Sequence, residues 1–175
     1  MYAYQQHITQ KSYKLCYNRI CMPKAMSEKP LFEITLRKYE HPHPEMEIRD
    51  VVKRICLSLG FLNPGDSRDA IVDTLAVLAL SRKPLTSQEI MKEAIAYRKK
   101  HKLENVGLTY TNVCRQLRKL RQLMLVEVSA DKYRITENET FSALFEEKIT
   151  SFVISNTTKR IKEYLEFLDE KIEKN

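Results

Sequence analysis

Between Tyr110 and Met124 the chain carries Arg115, Arg118, Lys119 and Arg121 with Thr111, Asn112 and Gln122, and not one acidic residue. A guanidinium fork presents two parallel N–H donors that match O6 and N7 of guanine, and a carboxamide matches N6 and N7 of adenine in the same bidentate way. A lysine ammonium is a point charge suited to phosphate. A solvated helix face ordinarily mixes both signs, because opposite charges four residues apart attract and like charges repel. A face with one sign is biased toward an anionic partner. The chemistry on offer is therefore recognition, with Asn112, Arg115 and Arg118 as candidate readers of base edges and Lys119 as a candidate phosphate contact.

Something must hold that face outward. Val113, Leu117, Leu120 and Met124 recur at i, i+4, i+7 and i+11, which predicts a helix over 109–124 with these four against a core. Thr109 is suited to cap it, leaving the N–H groups of Tyr110 and Thr111 for a phosphate. After the helix the period changes to 2: Val126 and Val128 alternate with Glu127 and Ser129, and Tyr133 and Ile135 with Lys132 and Arg134. Ala130-Asp131-Lys132 makes a tight connection, so a hairpin follows directly on a basic helix.

At these residues the chain resembles the winged helix-turn-helix superfamily of prokaryotic, including archaeal, transcription regulators, in which a Leu-x-x-Leu run precedes Gly-Leu-Val and a wing. Leu117, Leu120, Leu125 and Val126 fill the matching places, and Met124 stands where the family usually has glycine. The resemblance implies a mainly α fold with a small β-hairpin wing. It puts the recognition helix 109–124 in the major groove of double-stranded DNA and the wing 125–136 on the backbone, with Lys132 and Arg134 holding phosphates. The polar face to be placed there is Thr111, Asn112, Arg115, Arg118, Lys119 and Gln122.

The rest of the chain is expected to support this head. Residues 1–30 begin with a basic, acid-free stretch; we expect a disordered arm, with Met26 a candidate native start, and the competing reading is an arm that touches DNA. Residues 31–65 predict a strand over Leu31 to Tyr39, a rigid His41-Pro42-His43-Pro44 linker, and a helix from Glu45 to Gly60 with Ile48, Val51, Val52, Ile55 and Leu59 as its apolar stripe. The domain proper, 66–136, opens at Asp66-Ser67 as N-caps to a helix apolar nearly all round. Thr86-Ser87-Gln88-Glu89 is a capping box, with Leu85 and Ile90 placed as a hydrophobic staple. Arg98, Lys99, Lys100 and Lys102 close the next helix, where they either answer its dipole or clamp a phosphate beside the recognition helix.

For residues 137–175 we expect C-terminal dimerisation helices. Thr136 to Glu139 reads as a second capping box, and Phe141, Leu144, Phe145, Ile149, Phe152 and Val153 follow at helical spacing, until Asn156-Thr157-Thr158 interrupts or recaps the helix. Ile161, Leu165, Leu168 and Ile172 then recur by 4, 3 and 4, the narrow seam of a coiled coil. The expectation is a homodimer through these four residues, the alternative a helix folded back on its own subunit. A two-fold pair would favour half-sites about 34 to 36 Å apart.

Charge supports the same division. Of the 175 residues, 82–134 hold thirteen basic and five acidic groups, net +8, and 137–175 six and nine, net −3. Three glycines leave no phosphate-binding loop, and no metalloprotease or nucleophile motif occurs, so neither an enzyme nor a cofactor is expected. Cys16 and Cys21 lack a second pair for zinc, and His41 and His43 lack further ligands, so no metal is expected. No apolar run approaches a membrane span and no secretory signal stands at the N-terminus, so no membrane partner and a cytoplasmic location are expected. An effector ligand is not legible. Two other functions fit the same pattern: a winged-helix protein-interaction module in a nucleoprotein assembly, and a sequence-indifferent chromatin protein.

Overall fold

The chain divides into two units, residues 1–31 and 32–175. The computed structural model describes residues 34–174, all in the second unit. The expectations about the basic arm and Met26 lie outside the described residues.

The architecture is mainly helical, with one small antiparallel sheet. Helix α1 (Ile48–Ser58) leads to α2 (Ala70–Ser81), then β1 (Leu85–Thr86), α3 (Ser87–Lys100) and α4 (Tyr110–Gln122). The hairpin β2 (Val126–Ser129) and β3 (Lys132–Ile135) follows. A final long helix consists of α5 (Phe141–Leu144), a π-helical segment (Phe145–Ile154) and α6 (Ser155–Glu173). The sheet order is β1-β3-β2.

Helix α2 is the centre. Ala70 through Leu78 are all buried, as a sequence apolar on every side requires, and α1, α3 and α4 pack around it. The capping box of α3 forms as expected: Thr86 Oγ1 accepts from the Glu89 N–H, and the Glu89 carboxylate accepts from the Thr86 N–H at 2.8 Å. The Thr86 N–H and hydroxyl, both donating to that carboxylate, hold it below its ordinary range. Leu85 and Ile90 are buried beside the cap. The two-residue strand β1 was not legible. It exists because Leu85 and Thr86 lie opposite Tyr133 and Lys132 of β3, a pairing only the closed fold supplies.

The hairpin turns on Ala130 and Asp131, both at positive φ (48° and 61°), as a two-residue turn matched to the twist of its strands requires. Helix α4 stops in the same way. Met124 takes φ 58°, the left-handed conformation that glycine adopts most easily. The hydroxyl of Thr136 donates to the Met124 carbonyl at 2.6 Å and fixes that stop. Met124 is thereby turned to solvent, and Leu123 takes the core place expected of it.

Five other expectations are corrected. Ile34 to Tyr39 is not a strand; it lies along the end of α1, where the Thr35 N–H donates to Ser58 O and Arg37 Nε to Leu57 O, both at 3.0 Å, so helix-end carbonyls take the place of a sheet edge. In α1 the buried side is Val52, Cys56 and Leu59, while Ile48, Val51 and Ile55 are exposed. Asp66 accepts from the Asn63 N–H within a turn, and α2 starts later, at Ala70. In place of the capping box Thr136–Asn138 is a 3-10 turn with Glu137 and Asn138 both at φ 55°; the Thr136 hydroxyl is committed to Met124, and Thr140 caps α5 instead. Finally, no break occurs at Asn156-Thr157-Thr158, since the helix runs on with Ser155 at φ −58°, ψ −50°. The wide π turns bring Leu144 and Ile149, five apart, into the core and leave Phe145 and Phe152 outside.

Candidate nucleic-acid interface

Helix α4 is oriented by its apolar side: Val113, Leu117, Leu120 and Leu123 are all within 2 % exposure. Its opposite side, Thr111, Arg115, Arg118, Lys119, Arg121 and Gln122, is exposed. Thr109 caps the helix, its Oγ1 accepting from the Asn112 N–H. The N–H groups of Tyr110 and Thr111 therefore stand at the positive end, before the first intrahelical bond. Arg121 belongs with this set although its position off the main polar row conceals it in a helical projection; the acid-free run itself was the signal.

Asn112, expected to read base edges, is turned toward its own neighbours. Its Nδ2 donates to Gly107 O at 2.6 Å, and its Oδ1 accepts from Gln116 Nε2 and Arg115 Nη2, each at 2.8 Å. Both ends of the carboxamide are occupied in holding the turn before α4, where Gly107 sits at φ 80° with Asn112 and Arg68 packed nearby. A spacing rule places a side chain on a face and is silent about a closer acceptor in the preceding loop. Tyr110 is similarly tied, its hydroxyl accepting from Ser87 Oγ at 3.3 Å.

On the hairpin, Lys132 is exposed, whereas Arg134 is half-buried and ion-paired through Nε with Glu127 on the neighbouring strand. The register sets that pair, because Glu127 lies directly opposite Arg134. Arg134 brings less free charge to the hairpin than its sequence position implies.

The expected clamp separates. Lys99, Lys100 and Lys102 are exposed, but Lys100 and Lys102 share a cleft with Glu47 and Asp50 of the α1 end. Arg98 points into the protein, at 2 % exposure. Its Nη2 donates to Asp69 Oδ1 at 2.7 Å and its Nε to Asp73 Oδ2 at 2.6 Å; Nη1 donates to the carbonyls of Glu104 and Val106 at 2.9 and 2.6 Å. Arg49 of α1 completes the cluster, donating to Asp73 Oδ1 at 2.9 Å and Asp69 Oδ2 at 2.7 Å. Burial lowers the Arg49 pKa, but the bonds and charges of Asp73 and Asp69 outweigh it and the net shift is upward.

Two guanidiniums and two carboxylates thus neutralise one another where α1, α2 and α3 meet. Through Glu104 and Val106 the cluster also holds the loop that delivers Thr109. One signal for it stood in the sequence: Asp73 is an ionisable residue inside a helix otherwise apolar all round, and such a group is retained in a core only when paired.

No group of three or more His, Cys, Asp or Glu side chains able to hold a metal occurs among the described residues. Nor is any helix among them long and apolar enough to cross a membrane. No family model matches the sequence, and neither a curated protein nor a solved structure is significantly similar to it.

Proposed function

We propose that this protein is a winged-helix regulator of transcription that binds double-stranded DNA as a homodimer. Helix α4 enters the major groove, and the β2–β3 hairpin lies against the backbone. The observation that carries the reading is the outer face of α4: Arg115, Arg118, Lys119, Arg121 and Gln122 all exposed, with no acidic residue between Tyr110 and Met124. Support comes from the β2–β3 hairpin following directly on α4, the order of recognition helix and wing that the resemblance implies.

In this reading Arg115 and Arg118 are the base readers, because their guanidiniums can offer paired donors to guanine. Lys119, Arg121 and Lys132 contact phosphates, as does the amino end of α4 at Tyr110 and Thr111. Asn112 is a positioning residue. The exposed seam of α6 supplies the dimer contact.

Fluorescence anisotropy of labelled duplex DNA over a salt series tests the proposal. Binding should weaken steeply with salt as counterions are released. Arg115→Ala with Arg118→Ala should weaken it by about 1 to 3 kcal/mol for each arginine that pairs well with a base. Equal binding by the double variant and wild type at every salt concentration would overturn the assignment of α4.

A further inference from the structure

Every residue of α6 is exposed in the single chain, including Ile161, Leu165, Leu168 and Ile172 at 52 to 64 %. Among the described residues, then, none covers the helix, and the alternative of a helix folded back on α1 does not hold. Two aromatic residues that widen the apolar stripe are partly served within the helix, since Arg160 lies over the Tyr164 ring and Lys171 over the Phe167 ring, at 5.4 and 5.3 Å. What is left is the four-residue seam.

The charges along α6 say what covers it. Residues 155–164 hold Lys159, Arg160 and Lys162 against Glu163, a net +2; residues 165–174 hold Glu166, Asp169, Glu170 and Glu173 against Lys171 and Lys174, a net −2. Two pairs four residues apart, Lys159–Glu163 and Glu170–Lys174, serve the helix itself, but Lys162 and Asp169 stand outside those two pairs and on opposite halves. A helix whose halves have opposite sign complements a second copy of itself laid antiparallel and opposes one laid parallel.

We propose that α6 pairs antiparallel with α6 of a second copy of this chain, a refinement that rests on the homodimer reading above. The seam spacing is symmetric on reversal: Ile161 meets Ile172 of the other copy, and Leu165 meets Leu168, giving four matched layers. In the same register Lys162 and Asp169 occupy the flanking positions that face one another in antiparallel pairs, so each dimer holds two Lys162–Asp169 ion pairs. A parallel pair would instead set Tyr164 against Asp169 and Thr157 against Lys162, with no opposite charges facing. The antiparallel arrangement puts the two α4 helices beyond opposite ends of a rod about 28 Å long.

The test is charge exchange in the full chain, with the dimer constant measured by analytical ultracentrifugation at low salt. Lys162→Glu alone and Asp169→Lys alone should each weaken the dimer, about tenfold, because two attractive pairs become repulsive. The double variant should return to within about twofold of wild type, and so should an equimolar mixture of the two single variants. Circular dichroism of each variant checks that the helix persists. Single variants that dimerise as wild type does, while Leu165→Asp with Leu168→Asp dissociates, would overturn the antiparallel pairing and leave the seam standing. A monomeric wild type would overturn the homodimer reading itself, whereas a dimer indifferent to the two aspartates would place its contact outside α6 and overturn the antiparallel pairing alone.

Discussion

Arg98 and Arg115 lie on consecutive helices and face opposite environments. Arg98, nearly inaccessible, has two carboxylates and two backbone carbonyls around its guanidinium. Arg115 is exposed and bonds to the neutral Oδ1 of Asn112. A guanidinium taken out of water must have its charge and donors answered inside the protein, because desolvation is otherwise too costly. On the surface, water meets that need until a better acceptor arrives. The same side chain is a fastener in one place and, in the function proposed above, a reader in the other, and the difference lies in whether carboxylates were brought to it.

The largest test of that contrast is Asp73→Ala. It leaves Arg49 and Arg98 with one carboxylate between them in a buried site, and urea denaturation should show a loss of about 3 to 5 kcal/mol. A loss below about 1 kcal/mol would mean that water or rearrangement replaces Asp73, and the fastener would lose its special status.

Next comes pH. Burial, helped by the Asp69 and Asp73 carboxylates, pushes the Cys56 thiol up to about 12. A folded-state pKa above the unfolded value of about 8.5 gives stability that is intact below that pH and lost as pH climbs toward the folded value, because only the unfolded chain ionises in between. From Cys56 the fall should reach at most about 1.4 kcal/mol per pH unit. Unfolding midpoints between about pH 8 and 10.5 should therefore decline more steeply for wild type than for Cys56→Ala, whatever cavity the alanine leaves. Parallel declines would show that Cys56 is hydrated in the native state.

The smallest expected effect sharpens the comparison from its other side. Arg115→Ala with Arg118→Ala should shift stability by no more than about 0.5 kcal/mol, as is usual for exposed positions away from structural features. The Tm without DNA measures it. A shift beyond about 2 kcal/mol would give these arginines a structural part and weaken the case that they are reserved for a partner.

The sequence alone determined whatever depends on neighbours along the chain. The Thr86–Glu89 box, the Thr109 cap, the central position of α2, the inner side of α4 as far as Leu120 and the hairpin after it all follow from local bonds and from periods of 3.6 and 2. The acid-free face of α4 was legible because it needed only identity and spacing. Tertiary structure decided whatever depends on a partner far away in sequence. Arg98 looked like surface charge until Asp69 and Asp73 were folded against it, 29 and 25 residues away. Asn112 looked like a base reader until the turn before α4 brought Gly107, only five residues back, within reach of its carboxamide. β1 required β3, and the π segment moved Phe145 and Phe152 outward by changing the turn width on which any periodicity argument relies. Periodicity assigns a side chain to a face; only the fold supplies the acceptors and donors that face it.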